Sequence, residues 1–289
     1  MNATKLDALI ALLDDPDDSV FNFVLEEIVK QDISTVERLE HIWETTYDEL
    51  VQSRLELIIQ KIQLNDTRER IKNWSNQKTL DLFEGVFLIA RYQYPELKLK
   101  SVQTQLERIK KDIWLEFRNS LTSLEKITVL NHIFYDHYKF KIDRKDEDSP
   151  QLCFINRILE THKGNPVSIA ILYTLVARSL NLPVHYIDLS KNPLIGYFDK
   201  DLAQLVHGED CKHHVLFYIN PSNKGAIIGL KEVNYIQHTE DPAELDKLTE
   251  PCSDRTIIKR LIERLSFAYT QHDSNKEKVF YLNDIAGML

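Results

Sequence analysis

Residues 161–183 read T-H-K-G-N-P-V-S-I-A-I-L-Y-T-L-V-A-R-S-L-N-L-P, and this stretch decides the fold. Gly164 permits a tight turn, Asn165 can cap a helix with its side-chain oxygen, and Pro166 suits a first helical position, where no backbone N–H is needed. A helix is therefore predicted from about residue 166. Val167, Ile171, Leu172, Leu175, Val176 and Leu180 recur at helical spacing, and Ile169 and Ala170 add a second apolar flank, so most of the circumference should be covered by protein. Asn181 and Leu182 break the helix before Pro183. The next segment, Val184 to Leu189, is rich in β-branched and aromatic residues and reads as a strand. The unit is turn, core helix, strand.

On the N-terminal side, residues 4–63 carry only helical periodicity. Leu6, Leu9, Ile10 and Leu13 form one stripe, D-D-P-D-D at 14–18 breaks it, and Val20, Phe21, Val24, Leu25, Ile28 and Val29 form the next. Ser34 and Glu37 have capping-box spacing. Val36, Leu39, Ile42 and Trp43, then Leu55, Ile58, Ile59 and Ile62, continue the pattern as paired helices that resemble HEAT repeats. Helices go on through 82–95 and 121–135, and the charged loop D-R-K-D-E-D-S-P at 143–150 leads into the core-helix region. On the C-terminal side, Leu194 to Phe198, Val215 to Ile219 and Ala226 to Ile228 read as further strands of a small antiparallel sheet, with a polar insert expected from Asp199 to His214. Beyond Pro242 the chain returns to helix. Ile257, Ile258, Leu261, Ile262 and Leu265 make one stripe, and Lys276 to Leu289 can pair with it as a TPR-like hairpin. The expected organisation is a helical segment over 1–65, a core over 66–241 and a helical segment over 242–289.

Composition narrows the function classes. The 289 residues are 43% hydrophobic and 28% charged, an ordinary globular balance. No run approaches the roughly 18–20 apolar residues that span a bilayer, and M-N-A-T-K-L-D-A-L-I lacks the order of a secretory signal, so a cytoplasmic protein is expected. Cys153, Cys211 and Cys252 are scattered and odd in number, which suits free thiols in a reducing compartment. The formal charge of −9, from 36 basic and 45 acidic residues, repels phosphate backbones. Arg108, Lys110 and Lys111 are interrupted by Glu107, Asp112 and Glu116, and read as a solvated helix face rather than a nucleic-acid stripe.

Four ordered motifs, L-F-E-G-V-F-L-I-A-R-Y-Q-Y-P, L-N-H-I-F-Y-D-H-Y-K-F, I-N-R-I-L-E-T-H-K-G-N-P-V-S-I-A-I-L-Y and F-Y-I-N-P-S-N-K-G, resemble the SirB family across roughly residues 70–235. The resemblance implies an α+β fold: a transglutaminase-like (papain-like) core with a small antiparallel sheet, flanked by N-terminal HEAT-like helices and a C-terminal TPR-like hairpin. Active relatives of that core place a Cys at a helix start, a His on the next strand and an Asp on the one after, a thiolate, its base and an orienting carboxylate. Gly164, Ala170, Arg178 and L-N-L-P at 180–183 fit the pattern around that cysteine, which puts Pro166 in its place. The His position falls on Asn192 and the Asp position on Asn220. Proline has no nucleophilic side-chain atom, and Asn is no general base near neutral pH.

The remaining constellations are weaker. His207, Cys211, His213 and His214 offer nitrogen and sulfur donors for a metal, but their spacing matches no common zinc module and suits an exposed loop. Ser168 lies in the first turn of the core helix without an evident base, and is expected to hydrogen-bond the turn. Cys153 is expected to be a packed thiol. Cys153, Asn156, Gly164, Asn165 and Ser168 are the candidates for lining a remnant groove. His132, His137 and His162 read as ordinary polar contacts. The sequence thus points to a non-catalytic binding or scaffold module with a protein or peptide partner, no cofactor, and neither nucleic acid nor membrane as its target. The alternative is a hydrolase or acyltransferase whose chemistry has moved to Cys153, Ser168 or a metal at His207–His214.

Overall fold

The computed structural model describes residues 3–190, 192–208, 214–229, 232–233, 247–249, 251–272 and 276–289. The chain divides into two compact units, Met1–Asn73 with Arg91–Pro95, and Trp74–Ala90 with Glu96–Leu289.

The first unit is helical. Helices α1 (Ala3–Ile10), α2 (Asp18–Val29), α3 (Thr35–Thr45) and most of α4 (Glu49–Ser75) bury the predicted stripes, with Leu13, Val24, Ile28, Leu39, Leu55 and Ile58 fully inside. Arg54 explains how the D-D-P-D-D break is held. Its guanidinium is buried, donates to the carbonyls of Leu13 and Asp15, and lies 4.6 Å over the Phe21 ring, so carbonyls released where the helix breaks are satisfied. Asp17 then caps α2 by accepting from Ser19 N–H. The capping box expected at Ser34 and Glu37 does not form. Ser34 is itself in the right-handed helical region (φ −61°, ψ −17°), and no side-chain cap bond is made there. A cap of that kind needs the extended backbone that aims the hydroxyl along the first turn.

In the second unit, α5 (Leu82–Gln93), α6 (Leu99–Glu116) and α7 (Ser123–Asn131) precede a six-residue π-helix, His132–His137. A two-residue parallel pair, β1 (Lys141–Ile142) with β2 (Lys163–Gly164), brackets a 3-10 turn at Pro150–Cys153 and α8 (Ile155–Thr161). Then comes α9 (Pro166–Ser179), eleven of whose fourteen residues are buried; Leu175 and Arg178 are half-buried and Ser179 is exposed, all toward the C-terminal end. The sheet is antiparallel in the order β3 (Val184–Ile187), β4 (Leu194–Phe198), β5 (Val215–Asn220), β6 (Ala226–Ile228). The segment expected to be a polar insert after β4 instead contains α10 (Lys200–His207), capped by Asp199, which accepts from Leu202 N–H at 3.0 Å. Local capping and the helix-forming D-L-A-Q-L-V run overcame the polar composition. Helices α11 (Asp254–His272) and α12 (Lys276–Met288) pack together, and α11 also packs on α9 and the 150–153 turn.

Candidate functional site: the head of α9

The start of α9 is a closed polar knot. Asn165 is the N-cap: its Oδ1 accepts from Ser168 N–H at 2.9 Å, and Ser168 Oγ accepts from Asn165 N–H at 3.0 Å. The two residues satisfy each other's orphan donors, as a capping box requires. The second half of the Asn165 amide turns inward, where Nδ2 donates to Cys153 Sγ at 3.2 Å. Asn165, Cys153 and Ser168 are 0%, 1% and 2% exposed. Burial drives the Cys153 thiol up to about 12, against smaller opposing effects from the Asn165 hydrogen bond and the Arg264 charge. A thiol so placed stays protonated near neutrality and is a poor nucleophile.

Pro166 stands at the first helical position with its ring buried. Gly164 precedes it for a steric reason: a Cβ there would lie 2.7 Å from Ser168 Oγ and 3.0 Å from Ile169 Cγ1. The knot leaves almost no room. A void of about 10 Å³ lies against Cys153, Ser168, Ile155 and Leu172, with Leu261 of α11 facing it, about the least space one water needs. Of the five residues predicted to line a groove, four are therefore inside the protein. The fifth, Asn156, is half-buried, and its Oδ1 is buried without a hydrogen-bond partner among the described residues.

Helix α11 covers this region, and four arginines fasten it. Arg264 donates to Glu147 O and Asp148 Oδ1, both at 2.7 Å; Arg260 donates to Ser190 O at 2.9 Å and lies 3.4 Å from Asp188. Arg178 of α9 pairs with Asp254 at 2.6 Å, and Arg255 donates to Ser75 O. Sequence reading found the apolar stripe of α11 but not these partners, which lie 70–180 positions away along the chain.

Asn192 and Asn220, the positions at which the resemblance places the His and the Asp, lie at one end of the sheet. Ile195 pairs with Ile219, which puts Asn220 opposite Leu194 and Asn192 in the bend two residues before β4. Asn220 has a structural task there: its Oδ1 accepts from Ser222 N–H at 3.0 Å and its carbonyl accepts from Gly225 N–H at 3.0 Å. A network not foreseen from sequence holds this turn. Asn131 Nδ2 donates to Gly225 O at 2.8 Å, Tyr173 OH donates to Asn131 Oδ1 at 2.8 Å, and Tyr135 OH donates to Pro221 O at 3.0 Å. Both tyrosines are held far above their usual range by burial. Asn131, Tyr135, Tyr173, Pro221 and Gly225 all fall within the motifs that carry the family resemblance, but nothing in their spacing shows that they meet.

Of the weak metal candidates, Cys211 and His213 lie outside the described residues. His207 ends α10, with Nε2 2.9 Å from Leu216 O, a backbone contact to β5. Among the described residues, no three His, Cys, Asp or Glu side chains are grouped to hold a metal ion. His132 lies 3.3 Å from Asp136, while His162 takes the left-handed conformation that ends α8 and packs edge-on to Phe140. No helix among the described residues is long and apolar enough to cross a membrane.

A family model described as the transglutaminase-like superfamily matches residues 100–263. The chain is also similar to the UPF0162 protein of Xylella fastidiosa (strain Temecula1), 22% identical over 69% of this chain and 70% of that protein. The UPF0162 protein of Vibrio cholerae is 23% identical over 56% and 62% respectively. F-box only protein 21 of Homo sapiens is 23% identical over 53% of this chain but only 27% of its own length. No solved structure matches. The matched residues take in α6 to the middle of α11, more than half of the chain: the chain belongs to the transglutaminase-like superfamily.

Proposed function

We propose that this chain is a non-catalytic, SirB-type member of the superfamily that acts as a binding or scaffold module for a protein or peptide. One observation carries the reading. Where a nucleophile would need an ionisable thiol, an adjacent base and access for substrate, the α9 head has a buried proline, a thiol held near 12 and a saturated Asn–Ser cap. The polar groups there are committed to holding the helix start. The triad positions Pro166, Asn192 and Asn220 supply neither base nor carboxylate.

The same burial counts against chemistry relocated to Cys153 or Ser168. Binding then falls to the surfaces: the paired helices α1–α4, read as HEAT-like, and the α11–α12 hairpin, read as TPR-like. Occurrence of a similar stretch as a minor part of a longer relative suits a module that works inside larger assemblies. Unbridged Cys153 and Cys252 suit a reducing, cytoplasmic setting. The test is turnover of peptide esters and amides alongside labelling with a thiol-reactive probe. The expected result is no turnover and slow labelling of Cys153. Turnover abolished by Cys153→Ala or Ser168→Ala would overturn the proposal.

A further inference from the structure

We infer that a groove along α6, at the opposite end of α9 from Pro166, binds an acidic peptide segment carrying an apolar anchor. This rests on the reading of the chain as a binding module, but not on its lack of catalysis.

Two cavities follow one another along a single face of α6. The first, of about 190 Å³, is walled by Phe83, Leu106, Leu175 and Val176, with Gln103 and Glu107 at its rim. The second, of about 450 Å³, is walled by Lys110, Trp114, Phe117, Arg118 and Lys126, with the α9 terminus at Ser179–Asn181 as its floor. Ser179 belongs to both. Gln103, Leu106, Lys110, Trp114 and Phe117 are spaced three or four apart and so form one stripe. At 1.5 Å per residue the stripe is about 21 Å long, the reach of about six extended residues. A single small anion would fill little of it; an extended chain fits.

Charge selects the occupant. No carboxylate lines the larger cavity, although the molecule as a whole carries −9. Glu107 engages Lys110 at 3.4 Å, while no ion pair is made by Arg118 or Lys126 among the described residues. Helices α6 and α9 both end here, and their carbonyl ends contribute roughly half a negative charge each. With Lys110 paired to Glu107, Arg118 and Lys126 remain, and their two charges still exceed the one that the helix ends supply together, so the wall stays positive. Trp114, on the wall of the larger cavity, is 64% exposed, which leaves its ring open to stack on a bound chain. The apolar cavity beside the basic one supplies a place for a leucine- or phenylalanine-sized anchor, a feature that a phosphate backbone would not use.

The test uses the full chain and a fluorescein-labelled peptide of alternating glutamate and leucine, its glutamine counterpart, and a single-stranded oligodeoxythymidine. The acidic peptide should bind saturably, perturb Trp114 emission, and weaken as salt rises from about 0.05 to 0.5 M. The double substitution Arg118→Glu with Lys126→Glu should weaken binding about tenfold or more, and Trp114→Ala should weaken it with the charges intact. Arg118→Gln with Lys126→Gln, checked by circular dichroism and Tm, separates lost charge from lost folding. Equal binding of the glutamine peptide, stronger binding of the oligonucleotide, indifference to the charge substitutions, or no saturable binding would each overturn the inference. None of these outcomes bears on ester turnover, so the non-catalytic reading stands or falls separately.

Discussion

Replacing Asn165 by Ala tests the account of the α9 head most directly. The change removes the acceptor of Ser168 N–H and the donor to Cys153 Sγ, but leaves the return bond from Asn165 N–H to Ser168 Oγ. Loss of an N-cap side chain costs about 1 kcal/mol, and a buried N–H left without an acceptor costs about 1–3 kcal/mol. The two overlap, so the α9 head should be destabilised by about 2–3 kcal/mol. Cys153 reports on this locally. Because the thiol is 1% exposed, it reacts only when the head opens, and the rate of labelling follows the opening equilibrium when reclosing is fast. At about 1.4 kcal/mol per tenfold, labelling of Cys153 by a maleimide, read by peptide mass spectrometry, should accelerate roughly 30- to 150-fold. Asn165→Ser restores a capping oxygen and should recover part of the difference. The reasoning is refuted if Asn165→Ala labels within about threefold of the unaltered protein, or if the Ala and Ser variants behave alike.

Restoring a thiol by Pro166→Cys should give no ester turnover, because positions 192 and 220 provide no base or carboxylate and position 166 is buried; turnover by this single variant would contradict the assignment of those positions. Gly225→Ala should cost about 2–4 kcal/mol in urea unfolding, since φ is +70° and a Cβ would collide with the Asn131 side chain that bridges Tyr173 and Gly225; a loss below about 0.5 kcal/mol would show that the turn relaxes freely. His185 is held below its usual 6.5 by burial and then by Arg178. The unfolded chain therefore binds the proton first, and stability present above about pH 6.5 is lost as pH falls toward the folded-state value. Tm measured from pH 7.5 to 5 should fall, and His185→Phe, which keeps a ring against Phe198, should flatten that fall; an unchanged slope would rule His185 out as its source.

Residues that act on near neighbours were legible in the sequence. The D-D-P-D-D break falls between α1 and α2, the strands fall where β-branched and aromatic residues cluster, and α9 begins at Pro166. Legibility failed where a local motif had the right letters but the wrong backbone, as at Ser34, and where polar composition hid a short capped helix, as at 200–207. It also failed for every contact that joins distant segments. Asn131 to Gly225, Arg255 to Ser75 and Arg264 to Asp148 leave no spacing that a reader could recognise.

From the sequence alone it follows that position 166 cannot attack a carbonyl, because that depends on one side chain's atoms and on nothing around it. Only the tertiary structure decided that Cys153 is buried and its thiol pushed up to about 12, since a thiol's ionisation depends on burial and on the charges and donors that the fold brings to it. The same holds for the α6 groove: Lys110, Arg118 and Lys126 follow one another at intervals of 8 positions, 16 from end to end, and only packing of α6 against α7 and the end of α9 turns them into one wall.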